Sequence, residues 1–88
     1  MNIYLSLTFK QSFKKITQQN TQLRNKVKNK IALFQNNPLH PSLRLHKLKG
    51  KLIENWSISI ESNVRLIFVY VEDGILLIDI GTHDEVYR

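Results

Sequence analysis

The sequence predicts an α+β fold in which one strand, two helices and three further strands follow one another in the order βααβββ. Two observations carry this prediction. Apolar residues recur every three or four positions between residues 9 and 34, and they alternate or run together from residue 56 onward. We therefore expect two layers, an antiparallel sheet with an N-terminal helical hairpin packed on one of its faces.

The first strand and the first helix are expected within the first 17 residues. Residues 3–7 place an aliphatic side chain at every second position, as in a strand. Thr8 is the expected N-cap of the helix, because Gln11 follows three positions later as in a capping box. The apolar positions of this helix are Phe9, Phe13 and Ile16.

A second helix is predicted to begin at Asn20-Thr21 and to end before Pro38. The residue before a proline avoids the helical conformation, and the ring cannot continue the hydrogen-bond ladder. The two helices are close enough in sequence to form an antiparallel hairpin. The apolar stripe of the second helix is Leu23, Val27, Ile31 and Phe34.

Three strands are predicted in the second half of the chain. Residues 56–60 alternate between apolar residues and serine, which is typical of a half-buried strand. Residues 64–71 are apolar on both faces, so this strand is expected at the centre of the sheet. A tight turn at Glu72-Asp73-Gly74 leads into the last strand, residues 75–80, so residue 65 and about residue 81 should lie near each other across this antiparallel pair.

Basic residues are concentrated in the first part of the chain. No Asp or Glu precedes Glu54, whereas eleven of the thirteen Lys and Arg do, and the net charge is +6. Uncompensated positive charge favours a polyanion partner, nucleic acid first, because phosphate contacts gain Coulomb attraction and release counterions. The alternative is a lysine-rich surface that only keeps the protein in solution. The loop expected over residues 39–51, with an extended piece near 43–48, carries the residues that we expect to contact RNA: Arg44, Lys47, Lys49 and Lys51.

Length and composition exclude several classes of protein. Eighty-eight residues allow one domain, residues 1–88. Cysteine is absent, which excludes disulfides and thiolate metal sites and fits a reducing cytoplasm. No signal-peptide pattern opens the chain, and the apolar runs are too short to cross a bilayer.

Three side chains are candidates for chemistry. His46 lies in the basic loop and His83 just after the last strand, and histidine suits acid–base catalysis because its pKa is ordinarily near neutral. Arg65 begins an otherwise apolar strand face, and we expect it at the rim of an open, concave surface. The alternatives are loop histidines hydrogen-bonded to the backbone, and a surface arginine paired with Glu61 or a terminal carboxylate.

Four segments resemble successive motifs of the RelE/ParE toxin superfamily, and the resemblance covers essentially the whole chain. The final segment, in which a strand ends in Gly-Thr-His and an aromatic residue closes the motif, resembles the YafQ-like branch of RelE toxins. The segments are Leu48-Lys49-Gly50, Trp56-Ser57-Ile58-Ser59-Ile60, Arg65-Leu66-Ile67-Phe68 and Asp79-Ile80-Gly81-Thr82-His83-Asp84-Glu85-Val86-Tyr87.

The resemblance implies a toxin of a type II toxin–antitoxin module that cleaves messenger RNA on the ribosome. The reaction is attack of a ribose 2′-OH on the adjacent phosphate, which requires no metal or cofactor. His46 and His83 match the two catalytic histidines of the YafQ-like branch, and Arg65 matches the arginine that contacts the scissile phosphate in RelE. Tyr87 matches a terminal aromatic residue that orients a base. The implied partners are the ribosome, mRNA and a small acidic antitoxin in a hetero-oligomer.

Several positions depart from the family pattern. Ser59 stands where the YafQ-like branch has another histidine, Asn63 where it has an aspartate, and Asp79 where it has an arginine. The two strand lysines of RelE correspond to Trp56 and Ile58. Two alternatives therefore remain beside the endoribonuclease: a ParE-like inhibitor of DNA gyrase without hydrolytic chemistry, and a degenerate toxin that only binds its antitoxin. The retained His46, Arg65, His83 and Tyr87 favour the endoribonuclease, because gyrase inhibition needs none of them.

Overall fold

A computed structural model describes residues 1–49 and 54–86, and the α+β class and the βααβββ order are confirmed. Two further elements lie in segments where loops were expected. One is a two-residue strand within the extended piece predicted near residues 43–48, and the other is a short helix after the last strand. The elements are β1 (Asn2–Leu5), α1 (Leu7–Thr17), α2 (Thr21–Asn36), a 3-10 helix (Pro41–Leu43), β2 (His46–Lys47), β3 (Trp56–Glu61), β4 (Val64–Val71), β5 (Gly74–Gly81) and α3 (His83–Val86).

In the described part of the chain the sheet has five strands in the order β1-β5-β4-β3-β2, so β4 is central as predicted. Strands β2 to β5 pair antiparallel, and β1 joins β5 in parallel. This parallel edge differs from our expectation of an antiparallel sheet. It requires a crossover connection, which the two helices provide before the chain enters β2.

Helix α1 begins earlier than predicted, because Ser6 and not Thr8 is its N-cap. The Ser6 hydroxyl oxygen accepts a hydrogen bond from the Phe9 N–H at 3.0 Å, so the predicted capping box of Thr8 and Gln11 is wrong. The same hydroxyl donates to the carbonyl oxygen of Ile78 at 2.9 Å. Ile78 is the extra residue where the β4–β5 register shifts. Ser6 therefore starts the helix and also binds a carbonyl at an irregular point of β5.

The apolar stripes of both helices cover one face of the sheet, as predicted. Phe9, Leu23, Val27 and Phe34 are buried, and Phe13, Ile16 and Ile31 pack against them at the margin. The Phe34 ring meets the Phe68 ring of β4 edge-on, with centroids 5.1 Å apart. The sheet contributes Ile58, Leu66, Phe68, Ile75, Leu77 and Ile80 to this core.

Strand β1 is attached to the sheet through a close backbone approach at Gly74. A Cβ at this position would lie 1.8 Å from the Asn2 carbonyl oxygen, so a residue with a side chain does not fit there. The Asp73 carboxylate accepts hydrogen bonds from the Tyr4 hydroxyl and the Asn2 amide, both at 2.8 Å. The hydrogen bond from Tyr4 holds the pKa of Asp73 below its usual value, and the same bond raises the pKa of Tyr4.

Replacing Ser6 by Ala should lower the free energy of unfolding by about 1–2 kcal/mol, because the helix loses its cap. Thr8→Ala is the matched control and should change it by less than about 0.5 kcal/mol. Urea denaturation followed by circular dichroism measures both variants. Equal losses from the two substitutions would contradict the assignment of Ser6 as the cap.

The Tyr4–Asp73 hydrogen bond should make the attachment of β1 depend on pH. Because the folded-state pKa of Asp73 is lowered, its stabilisation is present above the unfolded value of about 3.9 and is lost as the pH falls through the folded value. The difference in melting temperature between the parent and Tyr4→Phe should therefore shrink on acidification below about pH 4. Tyr70→Phe is the control, since the effect of losing that hydroxyl should not change over this pH range.

Candidate functional site

Two rows of side chains cross the sheet face opposite α1 and α2, where Ser57 and Ile67 are buried and Arg65 is partly buried. Residues directly opposite one another in antiparallel strands project from the same face, so each row follows from the strand register. The first row is His46, Ser57, Ile67 and Asp79, and the second is Ser59, Arg65 and Gly81. Candidates from the basic loop and from the central strand therefore share one surface.

Strand β2 holds His46 at the edge of this surface, opposite Ser57. The Nδ1 atom of His46 lies 3.0 Å from the Arg44 carbonyl oxygen. Because a carbonyl only accepts, Nδ1 donates this bond, and in the neutral ring Nε2 carries the lone pair. His46 therefore makes the hydrogen bond to the backbone that the alternative explanation of a loop histidine requires. The same bond orients the ring so that Nε2 is the acceptor.

Arg65 is partly buried at the start of β4, and its Nη1 atom is buried without a hydrogen-bond partner among residues 1–49 and 54–86. Glu61, one of the two partners in the surface-arginine alternative, instead pairs with Lys26 at 3.1 Å, and the other, the terminal carboxylate, lies outside the described residues. A buried donor left unpaired costs about 1–3 kcal/mol, more when it is charged. Such an exception is rare in native structures and makes Arg65 a candidate for a binding or catalytic role.

The short helix α3 follows Gly81 and begins at His83. Thr82 and Glu85 form a reciprocal capping box: the Thr82 N–H donates to the Glu85 carboxylate at 2.9 Å, and the Glu85 N–H donates to the Thr82 hydroxyl at 3.3 Å. A Cβ on Gly81 would lie 3.0 Å from Glu85 Oε1. Helix α3 therefore lies against the sheet face that carries Arg65. This Thr-x-x-Glu pattern is visible in the sequence as a capping-box signature. It accounts for a helix in a segment where a loop was expected.

The three candidates lie around one patch of the sheet. Gly81 is directly opposite Arg65, as the predicted pairing requires, and the exposed His83 follows two residues later. His46 is two strands and two residues away from Arg65, which puts their Cα atoms about 12 Å apart at roughly 4.8 Å per strand and 3.3 Å per residue. Long side chains directed at one nucleotide can bridge this separation.

The predicted RNA-binding residues are distributed around the same edge. Arg44 and Lys49 are exposed, and Lys47 pairs with Glu54 at 2.7 Å on the surface. Arg44 has a left-handed backbone with φ of 47°, at the point where the chain turns from the 3-10 helix into β2. The fourth, Lys51, lies outside the described residues, as does Tyr87, which was predicted as a catalytic residue.

An open cavity of about 360 Å³ adjoins Arg65 on the side of β3. Our sequence-based prediction missed Lys30, which lies on α2 and lines this cavity together with Arg44, Ser59 and Arg65. Nothing in the local sequence around Lys30 distinguishes it from the other helix lysines. Its position beside the cavity is set by the packing of α2 near the 3-10 helix, where Lys30 donates a hydrogen bond to Ser42.

Two kinds of site are not found in the described part of the chain. No group of three or more His, Asp or Glu side chains there is arranged to hold a metal ion. None of its helices is long and apolar enough to span a membrane.

Comparison with known proteins finds this fold among bacterial toxins. A family model described as a bacterial toxin of a type II toxin–antitoxin system, YafQ, matches residues 1–88. Among solved structures, YafQ from E. coli is 22% identical, with a TM-score of 0.82 over 99% of this chain and 98% of that chain. E. coli YafQ in its complex with DinJ is 22% identical, with a TM-score of 0.80 over 99% and 98% of the two chains. A copper-bound mutant toxin from Helicobacter pylori is 26% identical, with a TM-score of 0.78 over 98% of each chain. A search of curated protein sequences finds no significant match.

Proposed function

The chain belongs to the YafQ family of bacterial type II toxins, and on that premise we propose that it is an endoribonuclease that cleaves messenger RNA on the ribosome and thereby inhibits translation. The observation that carries the proposal is the buried Nη1 of Arg65, which has no partner among the described residues, on a sheet face that also carries His46 and adjoins His83. We further propose that residues 1–88 form one toxin domain and that it acts in the cytoplasm, where ribosomes and mRNA are found.

The proposed reaction uses a ribose 2′-OH of the RNA as its nucleophile. The 2′-oxygen forms a bond to the adjacent phosphorus, the bond to the 5′-oxygen breaks, and the products carry a 2′,3′-cyclic phosphate and a 5′-hydroxyl. His46 Nε2 accepts the proton of the 2′-OH, because its Nδ1 is already donating to the Arg44 carbonyl. His83 donates a proton to the departing 5′-oxygen.

Arg65 stabilises the negative charge that accumulates on the phosphorane oxygens. Arg65 lines an open cavity at this face, and its Nη1 atom, although buried, makes no hydrogen bond to a described residue. Tyr87 orients a base in this scheme, a role proposed from the family resemblance alone.

A second candidate is a toxin that binds its antitoxin without cutting RNA. Asp79 favours this second candidate. It lies on the same sheet face as Arg65, and the family pattern has an arginine at the position of Asp79. A carboxylate there repels phosphate, whereas the family arginine attracts it. Comparing RNA cleavage with antitoxin binding in the same preparation separates the two candidates, and a gyrase supercoiling assay tests the ParE-like alternative.

The proposed partner is a small acidic antitoxin that forms a hetero-oligomer with this chain. The net charge of +6 and the acid-free first half of the sequence support an acidic partner. Co-expression with the neighbouring small reading frame should restore growth and yield a complex on co-purification. No binding by any neighbouring product would count against the toxin–antitoxin role.

Arg65→Ala and His83→Ala should each slow mRNA cleavage on programmed ribosomes by about a hundredfold or more, because the first removes stabilisation of the phosphorane and the second removes the proton donor. Arg24→Ala, which removes an exposed arginine of α2, is the control and should cut as the parent does. Circular dichroism and antitoxin binding should be unchanged in all three variants, because neither site residue belongs to the apolar core.

An mRNA with a single 2′-deoxy nucleotide at the cleaved position should stay intact, because it lacks the nucleophile. Folded Arg65 and His83 variants that cut at the parent's rate would remove these residues from the site. Cleavage of the 2′-deoxy substrate would overturn the 2′-OH mechanism itself.

The lysines of the basic loop should determine how ribosome binding depends on salt. Replacing Lys47, Lys49 and Lys51 by Ala should reduce the slope of log affinity against log salt by roughly 0.7–0.9 for each phosphate that the variant no longer neutralises. The matched control replaces the α1 lysines Lys10, Lys14 and Lys15. A slope that falls in the control and not in the loop variant would assign ribosome binding to the helices.

A further inference from the structure

We infer that the cavity beside Arg65 binds a second phosphodiester of the RNA, adjacent to the one that is cut. This inference rests on the proposed function and extends it to the side chains of Lys30 and Arg44, which the proposed chemistry does not use. Lys30, Arg44 and Arg65 line the cavity from three separate parts of the chain: α2, the end of the 3-10 helix and β4. Three cations around one depression match the charge of a nucleic-acid backbone.

The Lys30 ammonium group is held in position at this cavity. Its Nζ donates to the Ser42 hydroxyl at 3.1 Å, and that hydroxyl lies 2.9 Å from His40 Nδ1. His40 Nδ1 also accepts from the Ser42 N–H at 3.1 Å, so it is the acceptor and the Ser42 hydroxyl donates to it. An ammonium group has three hydrogens, and the bond to Ser42 occupies one of them.

The opposite wall of the cavity is formed by the irregular β3–β4 connection. The register between β3 and β4 shifts at Ile60, and bulges of this kind are frequent beside binding sites. The Ser59 hydroxyl donates to the Glu61 carbonyl oxygen at 3.2 Å, which ties this wall together. The exposed Ser62 hydroxyl at the same wall is a neutral donor for a phosphate oxygen.

Among the residues that the structure describes, Glu61 is the one carboxylate that lines the cavity, and it does not cancel the positive charge. Its Oε1 atom pairs with Lys26 at 3.1 Å, so Glu61 is compensated by a cation that does not line the cavity. Lys30, Arg44 and Arg65 therefore remain for an anion. The cavity volume of about 360 Å³ lies at the lower end of ligand-binding pockets, about 300–1,000 Å³.

The position of Arg65 connects this cavity with the proposed cleavage site. Arg65 is opposite Gly81, and hence near His83, on one side, and opposite Ser59 of the cavity wall on the other. An RNA strand that places one phosphate between Arg65 and His83 brings its neighbouring phosphate to Lys30 and Arg44. The second phosphate then fixes the register of the RNA on the protein without reading its bases.

The test compares two uncleavable RNAs, a dinucleotide with one phosphate and a trinucleotide with two, both carrying 2′-deoxyribose at the cleavage position. The parent should bind the trinucleotide about tenfold more tightly. Lys30→Ala should abolish this gain without weakening dinucleotide binding, and Arg44→Ala should also abolish the gain. Lys28→Ala, on the exposed surface of α2, is the matched control and should keep the gain. Lys30→Gln retains a donor for Ser42 but carries no charge, so it should lose the gain while preserving the fold.

Ribosome binding by the same variants distinguishes the source of the phosphate. Loss of the trinucleotide gain supports the adjacent phosphate of the mRNA, whereas a loss seen only in ribosome affinity would overturn it and assign the cavity to ribosomal RNA. Folded Lys30→Gln and Arg44→Ala variants that match Lys28→Ala in both assays would overturn it. Because the oligonucleotides are not cut, this result is independent of whether the chain is an active nuclease.

Discussion

The register of β4 with its two neighbours is the constraint on which the candidate site depends. It sets Arg65 between Ser59 and Gly81, and Ile67 between Ser57 and Asp79. A slip by one residue would turn Arg65 toward the helices and bury its charge in the apolar core. Leu66 and Phe68, fully buried under the helices, oppose such a slip. The packing of the core and the orientation of the site are therefore one constraint.

The irregularities of the sheet lie next to the site and have identifiable partners. The extra residue in β3, Ile60, lines the basic cavity, and the carbonyl of the extra residue in β5, Ile78, is bound by Ser6. Ser6 also caps α1, so the first helix and the irregular part of the last strand are linked through one hydroxyl. Bulges locally re-aim side chains and are frequent beside binding sites, and both irregularities lie beside the surface that we propose to bind RNA.

Two residues of the proposed phosphate cavity have features that are unfavourable in the free protein. The buried Arg65 Nη1 has no described partner, and Arg44 adopts a left-handed backbone that non-glycine residues seldom use. Both features belong to residues of the same cavity. Unpaired donors and backbone strain concentrate where a ligand is recognised, because the surrounding core maintains them. Asp79 acts in the opposite direction, and it separates this chain from the family pattern at the same surface.

The sequence by itself determined the helices α1 and α2, the three long strands, the central place of β4 and the pairing of Arg65 with Gly81. These features follow from local periodicity and from one tight turn, which act over a few neighbouring residues. The family resemblance also singled out His46, Arg65 and His83. Only the tertiary structure decided the parallel pairing of β1, the choice of Ser6 over Thr8 as the cap, and the position of Lys30 beside Arg65. Each of these depends on contacts between residues far apart in the chain, such as Ser6 with Ile78 or Lys30 with Ser42, and local sequence patterns carry no information about such contacts.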